Sequence, residues 1–386
     1  TERDPEAETE VHTIHLGKKT TSNYLKDIAQ VGLYHEAGAV NCLVISKSDS
    51  NRMIAGANNG GIWVSVNRGK TWTPVDDFAN SLRVSSMAQN EFRTNEIYYS
   101  TGVEIYQNGT LLHDIYRSMD GGLSFSNLVS TDTALGAVNK IVASPADANT
   151  VYLLRRFGQN NSAGSLWRTT DNFVSFHKVF QPSIGSLEDF IILPDGTVEV
   201  TEGSRIWKSP NGNPGSFVQS GTGISSAVTA IHLSACQSQP QRQYAIATTI
   251  AGGHNFVYKS TNGGATWAFI DTISLGRPTV ISVKPDDPDF VICGSIDIFA
   301  STNGGATWQQ TVGGYDNRSI NYDPNRPGIV FITSDFGISS IEVAPLTATS
   351  FTYMKSLDST MNTQEIHAGD YFATGTRCVV GLQELG

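Results

Sequence analysis

Residues 260–267 read Ser-Thr-Asn-Gly-Gly-Ala-Thr-Trp, and residues 301–308 repeat the same eight in the same order. A chain that uses an identical octapeptide twice is built from a recurring structural unit. Looser copies precede both. Residues 65–72 are SVNRGKTW, 118–125 are SMDGGLSF and 169–176 are TTDNFVSF. Residues 209–217, one longer, are SPNGNPGSF. The copies start at 65, 118, 169, 209, 260 and 301, in steps of 53, 51, 40, 51 and 41 residues. A constant motif at irregular spacing means one supersecondary unit with loops of varying length.

The flanking residues fill in that unit. Strand-like stretches run directly into each copy, as in GIWVS, HDIYRS, SRIWKS and NFVYKS. A second set lies upstream (RMIAGA, EIYYST, TVYLLRR, YAIATT) and a third before that (VNCLVI, VNKIVAS, VTAIHL, TVISVK). The first two strands are joined by SKSDSN, SPADAN, KPDDPD and DPNRPG, rich in Pro, Asp and Asn as tight hairpins require. A short fourth strand follows each octapeptide. Four antiparallel strands per repeat, with no helix between repeats, make a propeller blade. The spacing gives seven blades, at 38–80, 83–131, 137–182, 187–221, 227–273, 278–313 and 319–356. The seventh keeps its strands but lacks a good octapeptide.

Each residue of the octapeptide has a conformational role. The Asn or Asp accepts backbone N–H bonds across the turn, glycine permits φ > 0, and the aromatic plugs the gap to a neighbouring blade. The structural set is Asn67, Trp72, Asp120, Phe125, Asp171, Phe176, Asn262, Trp267, Asn303 and Trp308. One acidic residue per turn is too few for a calcium cage of roughly six to eight oxygens. No metal site and no cofactor is expected.

Bulk properties narrow the function. A formal charge of −10 argues against sequence-independent nucleic-acid binding. No apolar run is long enough to span a membrane. Cys42, Cys236, Cys293 and Cys378 form no CxxC, and three of them sit in apolar strand runs, as buried strand residues do. Sequons stand at Asn108, Asn160 and Asn317. The eight histidines make no HxxxH or HxH.

The pattern S-x-D-x-G-x-T-W resembles the Asp-box, or bacterial neuraminidase repeat, of sialidases, sortilin-like propellers and family 74 glycoside hydrolases (xyloglucanases). The resemblance covers residues 38 to about 355 and implies an all-β, seven-bladed propeller with Asp-boxes in the third-to-fourth strand turns. Residues 1–37 are then an N-terminal extension, and 357–386 either close the ring or start a second propeller. The ending VVGLQELG is loosely similar to the opening of a second propeller in two-propeller relatives.

Successive turns alternate between the faces of a propeller, so the Asp-boxes crowd one face and the second-to-third strand loops occupy the other. A site is expected on that second face. Its long loops are 101–113, 155–165 and 249–256, and its polar candidates are Asn58, Glu202, Asp297 and Asp335. A sialidase would show an early Arg-Ile-Pro, and none occurs. A family 74 enzyme would carry its first carboxylate in a stretch like RTDVGGAYRW; the equivalent stretch here is GANNGGIWVS, with Asn58 in the Asp position. An amide does not ionise and cannot serve as a general base. Asp297 and Asp335, in neighbouring blades, are the fallback catalytic pair.

The expectation is therefore a non-catalytic propeller, secreted or at a cell surface, binding a protein or glycan on the face opposite the Asp-boxes. The alternative is the first propeller of a two-propeller, family 74-like glycoside hydrolase acting on β-glucan or xyloglucan, with a second propeller as its partner. A third reading, an assembly chaperone of the photosystem type, calls for a basic patch that the linear sequence does not display.

Overall fold

The computed structural model describes residues 38–382, except 103–104, 108–109, 113, 131–135, 157–162, 183–184, 251–252, 275–279, 312–315, 344–354, 358–359, 362–365 and 372–377. Seven four-stranded sheets follow one another along the chain, every pairing within them is antiparallel, and no helix occurs among the described residues. Each sheet is one blade.

The innermost strands are Val40–Ile45, Ser86–Gln89, Lys140–Ala143, Phe190–Ile192, Val228–Ala235, Val280–Lys284 and Ser319–Asp323. Blades 7 and 1 meet as other neighbours do, strand Val40–Ile45 lying against Ser319–Asp323 and Arg326–Ser334. Blade 7 takes all four of its strands from residues 319–356, and Ile366–Tyr371 pairs with Cys378–Leu382 in a separate hairpin.

The core is distributed among the gaps between blades. Seven apolar clusters each straddle two neighbouring blades. Six of them hold the octapeptide aromatic of the later blade: Trp72, Phe125, Phe176, Phe217, Trp267 or Trp308. Among the described residues the cluster between blades 6 and 7 holds no such aromatic.

The turn itself is the same in blades 1, 5 and 6. Ser260 Oγ accepts the N–H of Gly264 at 2.9 Å, and Asn262 Oδ1 accepts the N–H of Thr266 at 3.0 Å. Asn262 Nδ2 donates to Thr266 Oγ1 at 2.9 Å. Gly263 and Gly264 take φ of 67° and 77°, the left-handed region open to glycine without penalty. Blade 3 has Asn172 and Phe173 there, at 57° and 68°. Phe173 trades that backbone penalty for a buried ring in its interblade cluster.

Candidate functional site

Antiparallel strands fix the faces. The first-to-second and third-to-fourth turns share one face, and the second-to-third turns and interblade links share the other. On that second face the sequence candidates lie apart. Asn58 Oδ1 accepts from Asn41 Nδ2 at 3.2 Å. Glu202 accepts the indole N–H of Trp207 at 2.8 Å and lies 3.8 Å from Arg205. Asp297 accepts from Gln310 at 2.9 Å, and Asp335 is ion-paired with Arg318. Among the described residues no hydrogen bond or ion pair joins any two of these four. Of the long loops, 157–162 and 251–252 lie outside the described residues, as do Asn108 and Asn160. The loop 101–113 contains a hairpin, Ile105–Gln107 with Thr110–Leu112. Asn317 is buried and donates to the Ser295 carbonyl, so its sequon is occupied by a structural amide. Cys236, just past a strand end, and Cys293, within a strand, are buried thiols and Cys42 is half-buried; burial raises the Cys42 pKa to about 12. The described residues hold no cluster of metal-ligating side chains.

A different constellation gathers at the channel. The main-chain bonds Asn90→Glu96, Ser144→Thr150, Leu193→Thr197 and Cys236→Arg242 each open the first hairpin of their blade, so these donors occupy equivalent heights. Four residues before them stand Ser86, Lys140, Asp189 and His232, one from each of blades 2 to 5. In blade 2 the small hydroxyl suffices: Ser86 Oγ accepts the N–H of Ile141 in the next blade at 3.1 Å. Asp189 performs the same duty for Leu233 N–H at 2.9 Å, with a full negative charge. That charge is offset by Lys140 Nζ, 2.5 Å from Asp189 Oδ1 and 2.9 Å from the Phe190 carbonyl. His232 Nδ1 lies 4.0 Å from Asp189 Oδ2.

Beside this row, Arg156 is ion-paired with Glu188, whose other oxygen accepts from Ser186 Oγ at 2.5 Å. Arg156 follows the second strand of blade 3 and Glu188 precedes the first of blade 4, so the group sits at the mouth opposite the octapeptide turns. Its electrostatics follow from burial. Burial alone would raise the Asp189 pKa, but Lys140, His232 and the Leu233 N–H outweigh it and hold the carboxyl below its ordinary range. Desolvation, with Lys140 and Arg156 nearby, lowers the His232 pKa against the pull of Asp189 and Glu188, so the ring is neutral at pH 7.

Toward the octapeptide face the channel widens into a cavity of about 810 Å³, whose walls include Met87, Val142, Ser234, Ser282 and Asn321. Lys47 and Glu91, ion-paired, stand at its rim.

The fold and this channel define a seven-bladed β-propeller of four-stranded blades. No family model matches the chain, and no curated protein matches it. Solved structures do. The GH74 xyloglucanase of Xanthomonas campestris superposes with a TM-score of 0.69 at 13% identity, covering 86% of this chain and 56% of its own. The GH74 enzyme of Niastella koreensis gives 0.67 at 18%, with the same coverages. YCF48 bound to D1 peptide gives 0.58 at 18%, covering 80% of this chain and 94% of its own. The chain thus spans little more than half the length of these GH74 enzymes. At such identities the likeness establishes the propeller fold.

Sequence reasoning missed Lys140, Arg156, Glu188, Asp189 and His232. Only an alignment of the innermost strands, rather than of the octapeptides, would have found the row.

Proposed function

We propose that the chain is a non-catalytic binding propeller, secreted or at a cell surface, whose partner is a protein or a glycan held on the face opposite the octapeptide turns. In this reading the turns are Asp-boxes, residues 38–356 are the propeller, and 357–386 close the ring or lead to a second one. The observation that carries the reading is the state of the carboxylates. Glycoside hydrolysis needs one carboxyl group as acid and a second as base or nucleophile. Asp189 is tied to Lys140, Glu188 to Arg156, and Asp335 to Arg318. Each of the three is paired with a cation, and Lys140 and its neighbours hold Asp189 below the ordinary carboxylate range, the reverse of the raised pKa that a general acid requires. Asn58, where the Asp-box relatives would place the first carboxylate, is an amide bonded to Asn41.

The second reading, the first propeller of a two-propeller glycoside hydrolase, is favoured by the 56% coverage of the two GH74 neighbours. Reducing-sugar release from xyloglucan, other β-glucans and sialosides separates the two. We expect none from the wild-type chain. Hydrolysis that Asp297→Asn or Asp335→Asn abolishes would overturn the binding reading and identify the acid–base pair.

A further inference from the structure

We infer that the channel mouth at blades 3 to 5 is a recognition site for an acidic polypeptide segment, with Lys140 and Arg156 as the groups that meet its carboxylates. The inference rests on the binding reading above and names its ligand. The four charges cancel in number but not in position. The Asp189 and Glu188 side chains are only 9% and 7% exposed, whereas Lys140 and Arg156 are 35% and 43% exposed. The acids form the wall behind, and the cations face the lumen. An incoming anion meets the cations first, while the acids fix their geometry in advance, which lowers the ordering cost of binding.

The repeat makes the charge conspicuous. Ser86 shows that a hydroxyl at this height caps the next blade's N–H, so the scaffold does not require Asp189 or the lysine that balances it. A buried ion pair is a costly substitute for a hydroxyl and adds nothing to packing. The chain is acidic as a whole, so two partly exposed cations fronting the mouth stand out against its surface.

The rest of the face selects a polypeptide over a polysaccharide. Phe78, in the link from blade 1 to blade 2, is 94% exposed. Ile250 and Ile296, at the second-to-third turns of blades 5 and 6, are also exposed. Exposed apolar side chains on the same face as the charged mouth match a protein segment carrying both acidic and apolar residues.

The test is fluorescence anisotropy with a labelled Glu-Leu repeat peptide, its Gln-Leu counterpart, and oligoglucuronate as an unlabelled competitor. Lys140→Met alone leaves Asp189 without its cation. The double variant Lys140→Met/Asp189→Asn keeps an acceptor for Leu233 N–H and carries no unpaired charge. Lys140→Arg retains the cation, and Lys70→Gln removes an exposed one on the opposite face. The Glu-Leu peptide should bind in a salt-sensitive manner, about tenfold or more tighter than the Gln-Leu peptide. The double variant should lose about tenfold, Lys140→Arg should lose less than the double variant because it keeps the cation, and Lys70→Gln should bind as wild type does. The inference is overturned if neither peptide binds, if the double variant binds as well as wild type, or if oligoglucuronate displaces the peptide at lower carboxylate concentration. The binding reading fails separately, through sugar release, which leaves the peptide result standing on its own.

Discussion

Replacing Trp267 by alanine should cost far more than the same change at Trp308, although the two occupy the same place in identical octapeptides. Trp267 is 4% exposed, between Ile206 of blade 4 and Val228, Ile231, Leu233 and Tyr258 of blade 5. Its indole N–H donates to the Gly264 carbonyl at 3.1 Å, and its main-chain N–H donates to Thr222 O at 2.8 Å. Neighbouring strands on both sides are locked in antiparallel ladders, so the gap left by the ring has little means to close. Burying about 200 Å² of indole is worth ~5 kcal/mol at 25 cal/mol per Å². Measured truncations of buried Trp and Phe cost about 3–5 kcal/mol. The orphaned Gly264 carbonyl adds about 1 kcal/mol. Trp308 is only half-buried, and its buried Nε1 has no hydrogen-bond partner. About 2 kcal/mol is expected there, since less surface and no hydrogen bond are lost. Urea unfolding followed by far-ultraviolet circular dichroism compares the two variants at fixed temperature. A Trp308→Ala cost equal to that of Trp267→Ala, or a Trp267→Ala cost below about 1 kcal/mol, would refute the argument from burial.

Lys208→Met strands Glu199, a fully buried carboxylate 2.9 Å from the lysine, and should destabilise by about 3–5 kcal/mol; adding Glu199→Gln should restore most of that in the same unfolding assay. Because the folded state lowers the His232 pKa, it binds fewer protons than the unfolded chain below about pH 6.5, and stability falls as the pH drops through that window. Asp189, also lowered, adds a loss in the same direction at more acid pH. The Tm of wild type should therefore fall more steeply between pH 7.5 and 5.5 than that of His232→Gln; parallel curves would show that His232 does not titrate differently on folding. Gly264→Ala should cost about 1–2 kcal/mol or more, since φ is +77° and the new Cβ would lie 2.7 Å from Gln243 Oε1. A melting temperature unchanged by that substitution would contradict the close approach.

The octapeptides made the fold readable because a motif whose every position is conformational specifies its own surroundings. Ser260, Asn262 and Gly264 announce a turn, and the turn dictates a strand on either side. The innermost strands carry no comparable signature. Phe190–Ile192 is three residues long, and its neighbour Asp189 looks like an ordinary loop acid in SLEDFII. His232 lies inside a strand with no partner in sequence. What makes these residues a group is their common height in successive blades, a relation across 43 to 54 residues that the octapeptide spacing disguises by its irregularity. Asn58, Glu202, Asp297 and Asp335 stand at or just after the end of the second strand of their blades, and loop position does not encode which side chains meet.

The two identical octapeptides also share a contact from outside the turn. The residue before the octapeptide's first hydroxyl is basic in blades 2 to 5: Arg117, Arg168, Lys208 and Lys259. In blades 3, 4 and 5 this residue reaches across to the octapeptide turn of the following blade. Arg168 donates to Asn211 O at 3.0 Å, Lys208 to Gly263 O at 2.5 Å and Lys259 to Gly304 O at 3.1 Å. Gly263 and Gly304 are the same position of the two identical copies. Among the described residues only these two turns receive a lysine, whose single ammonium selects one carbonyl, whereas the fork of Arg168 spans two acceptors, Asn211 O and Asn213 Oδ1. The turn must then satisfy two constraints at once: its own internal bonds, and a carbonyl presented outward to the preceding blade. Within the turn, asparagine is paired with threonine, as in Asn262 to Thr266 and Asn303 to Thr307, and aspartate with serine, as in Asp120 with Ser124 and Asp171 with Ser175. Asp171 titrates at about 2 because Ser175 donates to it twice, through side chain and main chain. Both lysines also have a carboxylate beside them, Lys208 at 2.9 Å from Glu199 and Lys259 at 3.6 Å from Asp289. Asn67 and Thr71 form the same pair in blade 1, so the Asn–Thr pairing belongs to the turn itself, while the lysine contact is a second feature that the two identical copies share.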